Sequence, residues 1–223
     1  MEEEQVVAGK KTIIFDLDGT LIDSIEDIAV CMNKVLEKLN LPIYEIKDYK
    51  YFVGSGVDVL VENALKGSSQ EIKNEVLKGF KKEYDQKLHT NTKPYEGIYE
   101  LLDELKKLNY NLAVLSNKPH DFTVAYVDYL FKDYGFIEVH GQKKEIPRKP
   151  DPIGAINIAT ALNIPCEEIF FVGDTMVDMQ TAKSAKMKAI GVLWGFRDEE
   201  ELLTNGADFI VKHPLDILKV LHS

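Results

Sequence analysis

Short apolar runs rich in β-branched residues recur along the 223-residue chain, at 12–15, 112–115, 169–172, 189–193 and 209–211. The first, with Gly19 shortly beyond it, reads as a buried strand feeding a loop, and the others read the same way. Helical spacing fills the gaps between them. After Tyr95, the residues Ile98, Leu101, Leu102, Leu105 and Leu108 recur at intervals of three and four, and similar patterns cover 153–162, 178–185 and 214–221. Strands alternating with helices predict an α/β fold, a doubly wound parallel sheet covered on both faces.

Residues 24–93 break that rhythm. This stretch holds no convincing strand but three helical patterns: Ile25 through Leu39, Val57 through Leu65, and Ile72 through Tyr84. A helical insert directly after the first strand predicts a small second domain. The expected division is 1–23 plus 94–223 for the sheet domain and 24–93 for an α-helical cap, with hinges at 21–24 and 92–97.

Composition narrows the function without choosing it. Hydrophobic residues make up 45% and charged residues 29%, as in a globular chain, and the net charge is −10. That acidity argues against general nucleic-acid or anionic-membrane binding, yet leaves room for a small anionic substrate in a locally cationic cleft. No apolar run approaches membrane-spanning length, and residues 1–11 open on three glutamates with no secretory pattern. Cys31 and Cys166 lie far apart among apolar neighbours and read as buried thiols in a reducing, cytoplasmic setting. His89, His120, His140, His213 and His222 show no metal-ligand spacing and read as surface or loop residues.

Ligands of a doubly wound sheet bind at the carboxyl ends of its strands. The polar residues at those places are Asp16 and Asp18, Ser116 and Asn117, and Asp174 and Asp178. Asp16 and Asp18, two apart at a strand end, project to one side, and their repulsion predicts a raised pKa for one of them. The pair also reads as an Asp-Gly turn with capping aspartates, and Ser116-Asn117 as a helix cap before Pro119.

Four segments together carry a resemblance. Asp16-Leu17-Asp18-Gly19-Thr20-Leu21, Leu115-Ser116-Asn117-Lys118, Lys149-Pro150-Asp151-Pro152 and Val172-Gly173-Asp174-Thr175-Met176-Val177-Asp178 resemble, in order, the four motifs of the haloacid dehalogenase superfamily. The resemblance implies a phosphate-monoester hydrolase in which Asp16 attacks phosphorus and forms an aspartyl-phosphate. It implies Mg²⁺ held by the Asp16 carboxylate, the Asp18 backbone carbonyl and the Asp174 carboxylate. Asp178 then either steadies the metal's water shell or serves only as a helix-start carboxylate. Lys149 would supply fixed positive charge, Ser116 and the Asn117 backbone N–H would donate to phosphoryl oxygens, and Asp18 would act as acid and then base. The segment 139–148 departs from the family's usual turn and is basic, so Lys143, Lys144 or Arg148 could assist Lys149.

The insert matches the position and size of the family's C1-type cap. Within it, Gly54-Ser55-Gly56 resembles the cap loop of phosphoglycolate phosphatases, and outside it the ending Leu193-Trp194-Gly195-Phe196, followed by Gly206-Ala207-Asp208, also resembles that subgroup. The expected partner is therefore a small phosphorylated metabolite, with 2-phosphoglycolate leading, acted on by a monomer or small homo-oligomer. A sugar-phosphate mutase of the β-phosphoglucomutase kind and a non-catalytic phospho-ligand module remain open alternatives.

Overall fold

The computed structural model describes residues 11–86 and 90–222, so His89 and the acidic N-terminal stretch up to residue 10 lie outside the described residues. Strand β1 (Thr12–Phe15) is followed by β2 (Ile22–Asp23) and four helices: α1 (Ile25–Lys38), α2 (Ile46–Phe52), α3 (Val57–Ala64) and α4 (Gln70–Gln86). Next come β3 (Lys93–Pro94), α5 (Ile98–Lys107), β4 (Asn111–Pro119), α6 (His120–Phe131), β5 (Phe136–Gln142) and α7 (Ile153–Leu162). The chain continues through β6 (Ile169–Gly173), α8 (Met176–Ser184), β7 (Lys188–Val192), α9 (Glu199–Thr204), β8 (Phe209–Val211) and α10 (Asp216–Leu221).

Six strands form one parallel sheet in the order β5-β4-β1-β6-β7-β8. β1 is fully buried because both its neighbours and both its faces are covered, which explains its unbroken Thr-Ile-Ile-Phe sequence. Its side chains still alternate. Ile13 and Phe15 join a core with Leu101 and Leu105 of α5 and Tyr126 of α6, whereas Ile14 joins the opposite core with Ile158 of α7 and Met179 of α8. Successive strands leave β1 first toward β4 and β5, then toward β6, β7 and β8, so the switch point opens a crevice at the ends of β1, β4 and β6.

Helices α1 to α4 lie between β2 and β3, which pair antiparallel with Ile22 opposite Pro94. Both expected hinges thus belong to one small ribbon. Asp27 ties it further: its carboxylate accepts from Asn91 N, Thr92 N at 2.8 Å and Thr92 Oγ1 at 2.7 Å. The buried faces of α1 and α4, with Met32 and Leu36 against Val76 and Phe80, are those their periodicity predicts.

Several elements depart from the sequence reading. The segment 139–148, read as a loop, begins inside β5, a half-buried edge strand where Phe136 and Val139 face inward among polar neighbours. Helix α2 has only seven residues and buries little but Tyr49, whose ring meets Tyr44 and Phe52 edge-on; aromatic packing rather than a long apolar stripe supports it. Helix α6 is apolar around much of its circumference, so its period is weak in sequence. Helix α9 has six residues and starts on Asp198, whose Oδ1 accepts from Glu201 N at 2.9 Å. Leu108 lies beyond α5 and is exposed. Cys31 is buried as expected, but Cys166 sits half-buried in a short 3₁₀ turn. His120 opens a helix and His140 lies on the edge strand, rather than in loops.

Candidate active site

The end of β1 is held by its neighbour, since Asp16 N donates to Val172 O at 2.9 Å. Beyond it the chain folds back tightly, with Leu21 N and Ile22 N both donating to Leu17 O at 3.0 Å. Gly19 has φ +90°, and a Cβ there would lie 2.3 Å from Asp174 Oδ2, so only glycine lets this loop lie against that carboxylate. Thr20 Oγ1 donates to Asp174 Oδ1 at 3.2 Å, and Phe196 N to Asp174 Oδ2 at 2.8 Å.

Oxygens of Asp16, Asp174 and Asp178 come within 4.8 Å of one another, all three residues being buried. Lys149 Nζ lies 2.8 Å from Asp16 Oδ1 and 2.6 Å from Asp178 Oδ1. Burial raises the Asp16 carboxyl to about 7; Lys149 pulls it down while Asp178 and, least, Asp18 push it up. Asp174 is raised as well, by burial and then by Asp178 and Asp16. Burial opposes the charge on Lys149, yet the carboxylates beside it outweigh that cost and raise its pKa.

One ammonium does not balance three buried carboxylates. Asp16 Oδ1 also accepts no well-directed hydrogen bond, despite its charge contact with Lys149. An orphaned carboxylate oxygen within an all-oxygen donor set fits a hard divalent cation such as Mg²⁺, which prefers a few carboxylates and keeps its remaining positions for water and phosphate. Among the described residues, these three form the only cluster of its kind.

The other expected residues are distributed around this cluster. The Asp18 carboxylate accepts from Ser24 Oγ at 2.5 Å and from Lys118 Nζ at 3.0 and 3.1 Å. Burial, not repulsion between Asp16 and Asp18, is therefore the main cause of the raised Asp16 pKa. Ser116 and Asn117 lie inside β4 rather than after it, both buried. Asn117 works through its side chain: Oδ1 accepts from Lys149 N at 2.9 Å, while Nδ2 donates to Lys149 O at 3.0 Å and Gly54 O at 3.1 Å. This amide clamps the Lys149 loop and reaches the helical insert.

Asp178 shows the helix-start character expected of it and adds an ion pair. Its Oδ2 accepts from Thr175 N at 3.0 Å and Thr175 Oγ1 at 2.8 Å, capping α8, while its Oδ1 meets Lys149. Gly54 and Gly56 line a cavity with Asp16 and Asp18, whereas Ser55 does not. Lys143 and Arg148 line a small adjoining cleft beside Lys149; Lys144 does not.

Sequence reasoning passed over Lys118, which is buried beside Asp18, and Tyr84 of α4, whose hydroxyl accepts from Lys118 Nζ at 2.7 Å. It also gave no role to Arg197. Arg197 Nη2 donates to Val53 O at 3.1 Å, Nη1 donates to Lys50 O, and the guanidinium lies 5.5 Å from the Tyr51 ring centroid. The available signals were a lysine ending an apolar strand and an arginine directly after the Trp-Gly-Phe segment.

A parallel sheet with buried carboxylates at its switch point, one buried lysine among them and a helical insert over the cleft defines an α/β enzyme built to handle an anionic group. A family profile described as haloacid dehalogenase-like hydrolase matches residues 13–192. The chain belongs to the haloacid dehalogenase-like hydrolases, and it is a phosphatase-like enzyme of that family. It is 34% identical over 211 residues to a phosphoglycolate phosphatase of Aquifex aeolicus, covering 95% of this chain and 96% of that one. It is also 34% identical over 201 residues to a phosphoglycolate phosphatase of Pseudomonas savastanoi pv. phaseolicola, covering 86% of this chain and 74% of the relative. A crystal structure from Lactobacillus delbrueckii subsp. bulgaricus, provisionally described as a phosphoglycolate phosphatase, superposes with a TM-score of 0.89 at 32% identity, covering 95% of this chain and 98% of that one. No described helix is long and apolar enough to cross a membrane.

Proposed function

We propose that this protein hydrolyses small phosphate monoesters with the aid of Mg²⁺, through an aspartyl-phosphate on Asp16, and that 2-phosphoglycolate is its leading substrate. The buried Asp16–Lys149 pair within a carboxylate cluster carries the reading, because it puts a nucleophile and a fixed cation at one strand end. Asp16 attacks phosphorus in line, the phosphorus–oxygen bond to the alcohol breaks, and Asp18 gives its proton to the departing alkoxide. Asp18 then takes a proton from water as that water releases phosphate from Asp16. Lys149 neutralises the phosphoryl oxygens, and Ser116 with the Asn117 N–H donates to them. When bound, Mg²⁺ supplies the positive charge that lets a carboxylate approach a phosphate dianion, with the Asp16 and Asp174 carboxylates and the Asp18 carbonyl as its ligands and Asp178 beside it.

Residues 24–93 serve as the cap in this reading. Apolar side chains of α1, α3 and α4 wall the cavity facing Asp16 and Asp18, which supports exclusion of water from the leaving group. The relatives' shared name supports phosphoglycolate as substrate. The test is turnover of a panel of phosphate monoesters with Mg²⁺ and with EDTA, for the wild type and Asp16→Asn. The expected result is activity only with Mg²⁺ and a loss of at least about 10³-fold in Asp16→Asn, whose amide is a poor nucleophile of the same shape. Full activity in EDTA, or an active Asp16→Asn in a clean preparation, overturns the reading.

A further inference from the structure

The cavity over the acidic cluster has two unlike ends. At the sheet, Asp16, Ser116 and Asn117 face it; toward the insert its walls are Ile28, Val57, Leu60, Phe80 and Phe122. Its free space, open mouth included, is about 600 Å³. Lys149 is absent from this lining, being engaged with Asp16 and Asp178. Two cations do line it: Lys81, which is exposed, and Lys118, whose side chain is only 4% exposed.

Lys118 is held by Asp18 and Tyr84 of this cavity and by Tyr126 outside its lining. Its ammonium meets both Asp18 oxygens and the Tyr84 hydroxyl, and lies 4.6 and 4.9 Å from the Tyr84 and Tyr126 ring centroids. A lysine is rarely kept this dry unless its charge is used, and here a shorter apolar residue would fill the wall without desolvating an ion. Asp18 lines the cavity with Asp16 and, in the reading above, acts on the oxygen that leaves phosphorus. A cation bonded to Asp18 on the insert side therefore stands where the alcohol half of the ester lies.

We propose that Lys118 is the specificity-determining cation for the leaving group, and that it selects phosphate monoesters whose alcohol half carries a carboxylate. This rests on the phosphatase reading. An acidic alcohol lying against the apolar walls of the insert end needs a buried counter-charge, and Lys118 offers one already oriented by Asp18 and Tyr84. A neutral alcohol offers Lys118 no charge to pair with and gains nothing from it. The two lysines thus divide the substrate, Lys149 facing the phosphoryl group and Lys118 the acid at its other end.

The experiment compares 2-phosphoglycolate with ethyl phosphate, esters of similar size with and without the carboxylate, in the wild type, Lys118→Met and Lys118→Arg. In the wild type, kcat/KM favours 2-phosphoglycolate at least tenfold. In Lys118→Met that ratio falls at least tenfold, with the loss on the acidic ester concentrated in KM, and Lys118→Arg restores part of it. Equal loss on both esters overturns the proposal, because Lys118 would then serve only to hold Asp18, and leaves the phosphatase reading standing. A wild type that hydrolyses both esters without preference overturns it too, whether or not a variant folds. A wild type inactive on every monoester overturns both readings together.

Discussion

Lys149 and Asn117 show how one side chain can serve another. The ammonium of Lys149 reaches Asp16 and Asp178, but its backbone N–H and carbonyl are both bonded to the Asn117 amide, so the loop that carries the charge is fixed from β4. Lys143 and Arg148, in contrast, are exposed and line the adjoining cleft. Lys149→Ala is therefore expected to lower kcat/KM far more than Lys143→Ala or Lys144→Ala, because only Lys149 is in place before substrate arrives. It should also destabilise the metal-free protein by about 3–5 kcal/mol, since it strands two buried carboxylates, and Mg²⁺ should recover part of that loss in thermal melts. Larger kinetic damage from Lys143→Ala or Lys144→Ala would move the phosphate-binding cation into the altered segment. At this scale the sequence was legible where chemistry sits at strand ends, as with Asp16, Asp174 and Lys149. Lys118 was not legible, because its burial depends on Tyr84 and Tyr126, 34 residues before it and on the next helix.

Among the elements, the pairing of α1 with α4 carries a charge device that periodicity cannot reveal. Glu83 of α4 accepts from Lys38 Nζ at 2.6 Å and from Lys34 Nζ, both lysines projecting from α1. Those hydrogen bonds hold the Glu83 carboxyl near 2, below its ordinary 4.5. A carboxylate with a depressed folded-state pKa contributes stability above its unfolded pKa and loses it as pH falls toward the folded one. Glu83→Gln should thus melt below the wild type at neutral pH, and the gap should close as pH drops from about 4.5 toward 2. A gap independent of pH would assign the effect to packing. The loop between α2 and α3 gives a second test. Gly56 has φ +91°, and a Cβ there would press on Asn117 O at 3.3 Å, so its glycine serves approach to the sheet as well as to a ligand. Gly56→Val is expected to lower kcat/KM for 2-phosphoglycolate and, through Asn117, for an aryl phosphate also; unchanged kinetics on both would detach this loop from the site. The long, strongly periodic helices and the buried strands were readable from sequence. The edge strand β5 and short α2 and α9 were not, since partial burial and local caps leave no sustained pattern.

Across the whole molecule, one loop joins the acidic cluster to the helical insert. After β7, Trp194 Nε1 donates to Thr20 O at 2.9 Å and Phe196 N to Asp174 Oδ2 at 2.8 Å, while Arg197 reaches Lys50 O, Val53 O and the ring of Tyr51. Glu201 of α9 steadies the guanidinium at 3.2 Å. The loop thus contacts Asp174 with its backbone and the end of α2 with its arginine. Truncating the arginine separates the two functions, because the hydrogen bonds to Asp174 and Thr20 do not pass through its side chain. Hydrogen bonds from a charged donor contribute about 1.5–3 kcal/mol each, and the insert loses that hold on the sheet domain when the guanidinium is removed. Arg197→Ala should therefore lower kcat/KM for 2-phosphoglycolate by about tenfold or more, a factor equal to about 1.4 kcal/mol. Proteolysis between α1 and α4 should become faster, as the insert opens more often. Stabilisation by Mg²⁺ in thermal melts should stay close to the wild-type value, since Asp16, Asp174 and Asp178 keep their partners. A matching loss of Mg²⁺ stabilisation would show that the arginine supports the acidic cluster itself, and unchanged kinetics and proteolysis would remove it from any part in holding the insert over the site.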